Sequence, residues 1–489
     1  MARPSPGREW LLAAGMLALA WWPHTAVAAV ILTVAAQGEW WLLGIPLMCL
    51  AAGAVRAVRS PAEFPGRAVG PDDEPELAAL ISTVARRLAF EGPLLVRIAP
   101  DPTAALARLK VSGVRTHVLL LGLPLLRTLT EAQLAAVVAH ELAHRRHTRH
   151  LRTAALHTAR DALENRLSGP LRLLTPCAPR LLRASQPLAW HAETAADAEA
   201  AHVAGTTAAA EALQRTHVAG AVFHGLGATW WCALEQADRR PTDFYDALDT
   251  ALRDPHVARR AAMWVAEDDA FDPYATDSHP PHPSRIAALP PADAPGDFRP
   301  VPLTLHTAPE LERWCLERLG SDTQVTLDGL WEEHRSKITG ASAPTPVRLL
   351  DLDPDELRRL VDDLIDEPDL RTATRRNTPA EALAAALDAI DDGTWPSLAD
   401  LTDRQIRTAP RAVRPALRRD AFRSAVTSAL ETALRADGWT PTVRWLSTLL
   451  TAPDGTVADL SLLVTEAIDN ADAAGLRALP AGAQTKEAA

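Results

Sequence analysis

The sequence predicts a mainly helical α+β chain in three parts: an apolar N-terminal hairpin, a central domain with a small sheet, and an all-helical C-terminal domain. Three observations predict it. Residues 10–36 and 40–55 contain no Asp, Glu, Lys or Arg. The helical repeat "ELAALISTVARRLAF" is followed by two short apolar runs, 93–100 and 116–122, that read as strands. Beyond the proline-rich break at 289–300, helix starts recur.

A chain of 489 residues suggests two or three domains. We place a membrane anchor at 1–59, a linker at 60–75, a central domain at 76–295 and a helical domain at 296–489. The net charge of -11 excludes a general nucleic-acid binder, which needs clustered excess Lys and Arg to neutralise phosphates. Cys49, Cys177, Cys232 and Cys315 are scattered without a CxxC, so neither a disulfide framework nor a cysteine zinc site is expected.

A membrane span needs about 20 apolar residues, which 10–36 exceeds and 40–55 approaches. Arg3 and Arg8 precede the first stretch, and Arg56, Arg59 and Arg67 follow the second. The positive-inside rule then predicts a multi-pass hairpin in the cell membrane, with both ends and the following domains in the cytoplasm. The alternative is a signal peptide cleaved near "AVA" at 26–28.

The segment 60–75 is rich in Pro and charge and reads as a linker. Thr307 with Glu310, Asp353 with Glu356, and Thr378 with Glu381 have capping-box spacing. Pro354 and Pro379 sit at the favoured first helical position. Asp351, Asp353 and Asp355 alternate like a calcium loop, but Glu356 stands where that loop needs Gly, so an acidic helix start is the reading.

The stretch "VVAHELAHRRHTRH", 137–150, carries the chemistry. Thr130 and Gln133 form a capping box that opens a helix with an apolar stripe of Leu134, Val137, Val138 and Leu142. His140 and His144 lie one turn apart on one face, so both imidazoles can reach a single zinc, with Glu141 placed to address water in an open position. The third ligand is open among His147, His150 and Glu193. His150 would need a Gly to break the helix, where His147 stands. Glu193 and Asp197, in "WHAETAADAEAA", share a helix face; Glu193 would complete a His/His/Glu set and Asp197 would orient a ligating imidazole.

HExxH, the "AETAADAEA" helix and "SHPPHPSRIAAL" at 278–289, in this order after apolar N-terminal segments, resemble the HtpX-like and CAAX-prenyl-protease-related membrane metallopeptidases. The resemblance covers roughly 75–290. It implies a zincin-like domain with an active-site helix, Zn2+ held by His140, His144 and Glu193, and Glu141 as general base. It further implies His279 as the donor to the tetrahedral oxygen, with His282 and Arg285 as neighbours. Two features depart from the family: Ala189 and Trp190 replace its usual Ser-Arg, and residues 167–190 are too short and Arg-rich for a further membrane hairpin.

The expected function is a membrane-anchored zinc endopeptidase acting on cytoplasmic or membrane-associated polypeptides. The apolar run 117–122 is expected to pair with an extended substrate. Two alternatives stand beside it: a membrane signal transducer whose peptidase cuts one regulator, and a non-catalytic scaffold whose C-terminal helices bind a protein partner.

Overall fold

The computed structural model describes residues 6–37, 66–111, 114–147, 151–167, 177–270, 279–293, 296–319, 344–364, 370–402 and 413–479, with 406, 407, 409 and 411. These form two compact units. The first runs to Ala221 and resumes at Ala262; the second holds Val222–Ala261 and the described residues from 344 onward.

In the first unit, helix α1 (Pro6–Ala36) is followed by β1 (Arg67–Val69), α2 (Pro75–Arg87), β2 (Leu94–Ala99), β3 (Ala104–Val111) and β4 (Val114–Gly122). Then come α3 (Leu123–Thr128), α4 (Glu131–His147), α5 (Leu151–Leu167), α6 (Ala178–Ala204) and α7 (Thr206–Leu226). The sheet order is β1-β2-β4-β3, with β2 parallel and β3 antiparallel to β4. Both runs expected to be strands are strands. Two more accompany them: β1 lies inside the stretch read as a linker, and β3 has a composition that gave no strand signal.

The topology corrects one expectation. The run 117–122 belongs to β4, whose two edges are occupied by β2 and β3, so its backbone has no edge for a substrate. The edge strand on that side is β3.

The turn from β4 into α3 depends on a close approach. A Cβ on Gly122 would lie 2.1 Å from Asp101 O and 2.7 Å from Thr103 N, both backbone atoms. Gly122 N–H also donates to Thr103 O at 2.6 Å. Gly122→Ala is expected to cost at least about 1–3 kcal/mol, the usual cost of overpacking, since no side chain there can swing away. Urea unfolding of the variant measures it, and an unchanged midpoint would contradict the geometry.

Helix α4 packs through Leu134, Val138 and Leu142, all essentially buried. Its capping box forms in both directions: Gln133 N–H donates to Thr130 Oγ1 at 3.3 Å, and Thr130 N–H donates to Gln133 Oε1 at 3.0 Å. α1, α5 and α6 share a core of Ala13, Met16, Ala20, Leu156, Leu163 and Leu182. Glu9 is buried there against Arg152 at 3.0 Å. Trp10, Leu11 and Trp21 are at least half exposed on α1. Among the described residues, no helix is long and apolar enough to cross a membrane. The second expected span, 40–55, lies outside the described residues, as do Cys49 and the side chains at 26–28.

The segment after the proline-rich stretch returns to the first unit. Glu131 N–H donates to Val301 O at 2.8 Å, Arg299 pairs with Glu131 and Glu76, and Arg87 pairs with Asp297. The helix Ala308–Arg318 does not use its expected capping box. Glu74 accepts from the N–H groups of His306 and Thr307 at 2.8 and 2.7 Å, taking the place of Glu310.

The second unit contains α8 (Phe244–Arg253), the start of α9 (Pro255–Ala270) and, in its later part, helices Pro354–Leu364, Leu370–Thr374, Pro379–Asp391, Trp395–Thr402, Arg414–Ala436 and Leu460–Asn470. It is not all-helical. Residues 440–459 form an antiparallel three-stranded sheet whose strands are Thr440–Val443, Leu446–Thr451 and Val457–Asp459. Leu450 and Ala458 point from it into a core shared with Phe422, Leu430, Trp439 and Val464. The Thr378 capping box is complete. At Asp353 only half forms: its carboxylate accepts from Asp355 N–H at 2.8 Å, while Glu356 pairs with Arg239 at 2.6 Å.

Candidate metal centre

α4 and α6 pack side by side and each presents one face to a shared cleft. Four-residue spacing brings His140 and His144 together on α4, with Nε2 atoms 3.0 Å apart. The same spacing on α6 aligns Glu193 and Asp197, both buried. Pro187 lies within α6, and Gly205 ends it with a positive φ of 94° that favours glycine.

Glu193 Oε1 lies 3.3 Å from His144 Nε2, and its Oε2 lies 3.6 Å from His140 Nε2. Ligands at about 2.0–2.1 Å around a tetrahedral zinc stand a little over 3 Å apart, so this donor set fits that ion. Among the described residues, His140, His144 and Glu193 are the one group of three or more such side chains able to converge on a metal.

The far side of His140 is also held. Its Nδ1 lies 2.9 Å from Asp197 Oδ1, which directs Nε2 towards Glu193 and His144. Asp197 in turn accepts two hydrogen bonds from the buried Arg285, from Nε at 2.8 Å and from an Nη at 2.7 Å. Arg285 and its neighbour His282 lie on a short helix, His282–Ala287. His279 reaches Glu193 Oε2 through Nδ1 at 2.9 Å, with its side chain 58% exposed at the mouth of the cleft.

These contacts set the charge states. Burial opposes ionisation of His140, but Asp197 and Glu193 outweigh it and push its pKa up to about 9. Burial, joined by the positive His140, brings His144 down to about 4. Burial would raise Glu193 and Asp197, yet their cationic partners hold both below the ordinary carboxylate range. Glu141 differs: burial dominates and raises it to about 7, although the Leu106 backbone of β3 hydrogen-bonds its carboxylate. A carboxylate poised near neutrality inside a cleft has the property a general base requires.

His140, Glu141, Glu193, Asp197, His279 and Arg285 line one open cleft of about 210 Å³. The sequence model of peptidase family M48 matches residues 71–292, a stretch that contains every one of these side chains. The match spans 222 of the chain's 489 residues. Among curated proteins and solved structures, no match to this chain was found.

Within the matched stretch, the structure brings together His140, Glu141, His144, Glu193, Asp197, His279 and Arg285, drawn from three separate segments. His282 stands apart from that group and contacts His217 on α7. His150 and the side chain of His147 lie outside the described residues. His217 was not singled out in the sequence, because no local motif marks it and its partner is 65 residues away. Ala178–Ala189, within the stretch judged unable to span, forms the first turns of α6, and the helix continues from there to Glu193.

Proposed function

We propose that the domain matching family M48 is a zinc-dependent endopeptidase, anchored to a membrane and acting on cytoplasmic or membrane-associated polypeptides. The observation that carries this reading is the convergence of His140, His144 and Glu193, whose ligand atoms lie 3.0–3.6 Å from one another, with Glu141 on the helix of the two histidines and in the same cleft.

His140, His144 and Glu193 would hold the ion, which supplies a Lewis acid when bound and lowers the barrier to attack on a scissile carbonyl. Glu141 takes the proton of the attacking water on its carboxylate and returns it to the leaving amine. Asp197 and Arg285 fix the His140 ring. His279 faces Glu193 through Nδ1, so a second donor, at Nε2, exists when the ring is an imidazolium; that donor answers the negative charge on the tetrahedral oxygen. An extended substrate has a backbone edge to join at β3, beside Ala104 and Leu106. Backbone pairing of this kind gives affinity with little sequence preference.

Anchoring rests on the uncharged run 10–36, the apolar run 40–55 and the exposed Trp10, Leu11 and Trp21. Trp side chains of this kind suit the headgroup level of a bilayer. The flanking arginines support a cytoplasmic peptidase through the positive-inside rule.

The test uses the full chain with an unfolded polypeptide substrate. A chelator is expected to abolish internal cleavage and Zn2+ to restore it, while Glu193→Ala weakens zinc binding by at least about tenfold, as loss of even an outer partner of a ligand commonly does. Cleavage that persists without metal, or zinc held equally well by Glu193→Ala, would overturn the reading.

A further inference from the structure

A second pair of histidines meets away from the group just described. His217 on α7 and His282, the first residue of its short helix, bring their Nε2 atoms to 2.6 Å. Their ring centroids are 3.4 Å apart and the planes are inclined by 60°. Two ring nitrogens at that separation cannot both carry a proton.

The tautomer of His217 follows from its other nitrogen. Nδ1 lies 2.8 Å from the Leu213 carbonyl oxygen, which can only accept, so Nδ1 carries the hydrogen and the neutral ring turns a lone pair towards His282. A ring whose outer N–H is tied to a backbone carbonyl is the usual state of a metal-ligating histidine. The side chain of His282 is flanked by Pro281 and Pro283, and its segment is pinned by the Arg285–Asp197 pair. Both rings are therefore held in place, both are partly exposed, and His217 lines the cleft. His140 and His144 also bring their Nε2 atoms together, at 3.0 Å, with their ring centroids further apart, at 4.6 Å.

We propose that His217 and His282 form a second metal site, distinct from the His140, His144 and Glu193 group, for a borderline divalent ion that favours imidazole, Zn2+ or Cu2+. Two imidazoles bound side by side to such an ion need their nitrogens about 3 Å apart and their rings spread as those of His140 and His144 are, with centroids 4.6 Å apart, so the His217 and His282 rings must swing apart by about an ångström. With two protein ligands the site binds more weakly than the first, and water or a carboxylate completes its coordination. Because His217 lines the cleft, the ion adds positive charge to its wall.

The experiment titrates the untagged full chain with Zn2+, then with Cu2+ after the first zinc is bound. Two equivalents are expected. His217→Asn and His282→Asn should each weaken the second by at least about tenfold and leave the first in place, since losing a ligand costs no less than losing an outer partner. Glu193→Ala should do the reverse. A single equivalent that survives in both histidine variants and is lost in Glu193→Ala would overturn the second site while upholding the proposed peptidase. A single equivalent with the opposite sensitivity would uphold the second site and sink the first. Where a variant loses all metal through misfolding, Cu2+ electron paramagnetic resonance of the zinc-loaded wild type decides: coupling to two nitrogens is expected, and coupling to one or none would refute the pair.

Discussion

Replacing Glu141 by glutamine is expected to lower the proposed hydrolysis by about 10²–10⁴-fold, the usual share of a general base, and to leave zinc binding unchanged. The substitution keeps the shape of the side chain and removes its ability to take a proton. The carboxylate has no place among the converging ligand atoms, which come from His140, His144 and Glu193, so metal content should not change. Its neighbours favour this role: burial leaves Glu141 with a pKa of about 7, far above Glu193. Two carboxylates in one cleft thus sit in different states, one holding charge for cations and one ready to exchange a proton. Cleavage rate and zinc content measured on the same preparation decide the matter. Retained activity in Glu141→Gln would exclude it as the base, and lost zinc would make it part of the metal-holding structure.

Arg285→Met is expected to cost about 3–5 kcal/mol of stability, because it strands a buried charge. Arg285 is only 6% exposed and gives two hydrogen bonds to Asp197, with Glu193 a further 3.6 Å from one of its nitrogens. Burial alone would favour neutral Asp197 and Glu193, and the guanidinium is a principal reason that Asp197 stays ionised. Without it Asp197 protonates or pulls away from His140, whose ring then loses its orienting contact. We therefore expect zinc affinity to fall along with the urea midpoint. A variant within about 1 kcal/mol of wild type would show that the two carboxylates find other partners, as surface ion pairs of that worth do.

Much of the site was legible because local spacing placed it. The Thr130 and Gln133 cap and the stripe Leu134, Val138 and Leu142 defined α4, and four-residue spacing then put His140 beside His144. The same spacing aligned Glu193 with Asp197. What joins the two helices and the 279–285 segment is tertiary, so the ion pair between Arg285 and Asp197 had no local signature. β3 was hidden for a different reason: "AALARLKV" is rich in helix formers, and it is a strand because β4 offers it a ladder. The sheet at 440–459 did leave a signal. Asp454-Gly455 sits between runs bearing Val and Thr, the pattern of a hairpin turn, and Gly455 adopts a φ of 90°. The pairing of His217 with His282 left none: His282 stands in the 278–289 motif, but no local pattern ties it to His217 until the fold brings them together.

The segment 297–307 has a bearing on how the protein is made. It is synthesised well over a hundred residues after His144, yet Val301 caps the start of α4 and Pro302 bridges to Thr130. Arg285, which secures Asp197, also emerges late. A nascent chain leaving the ribosome therefore carries His140 and His144 long before it carries the residues that brace them. The start of the helix that carries His140 and His144 is complete only when this late strap has docked.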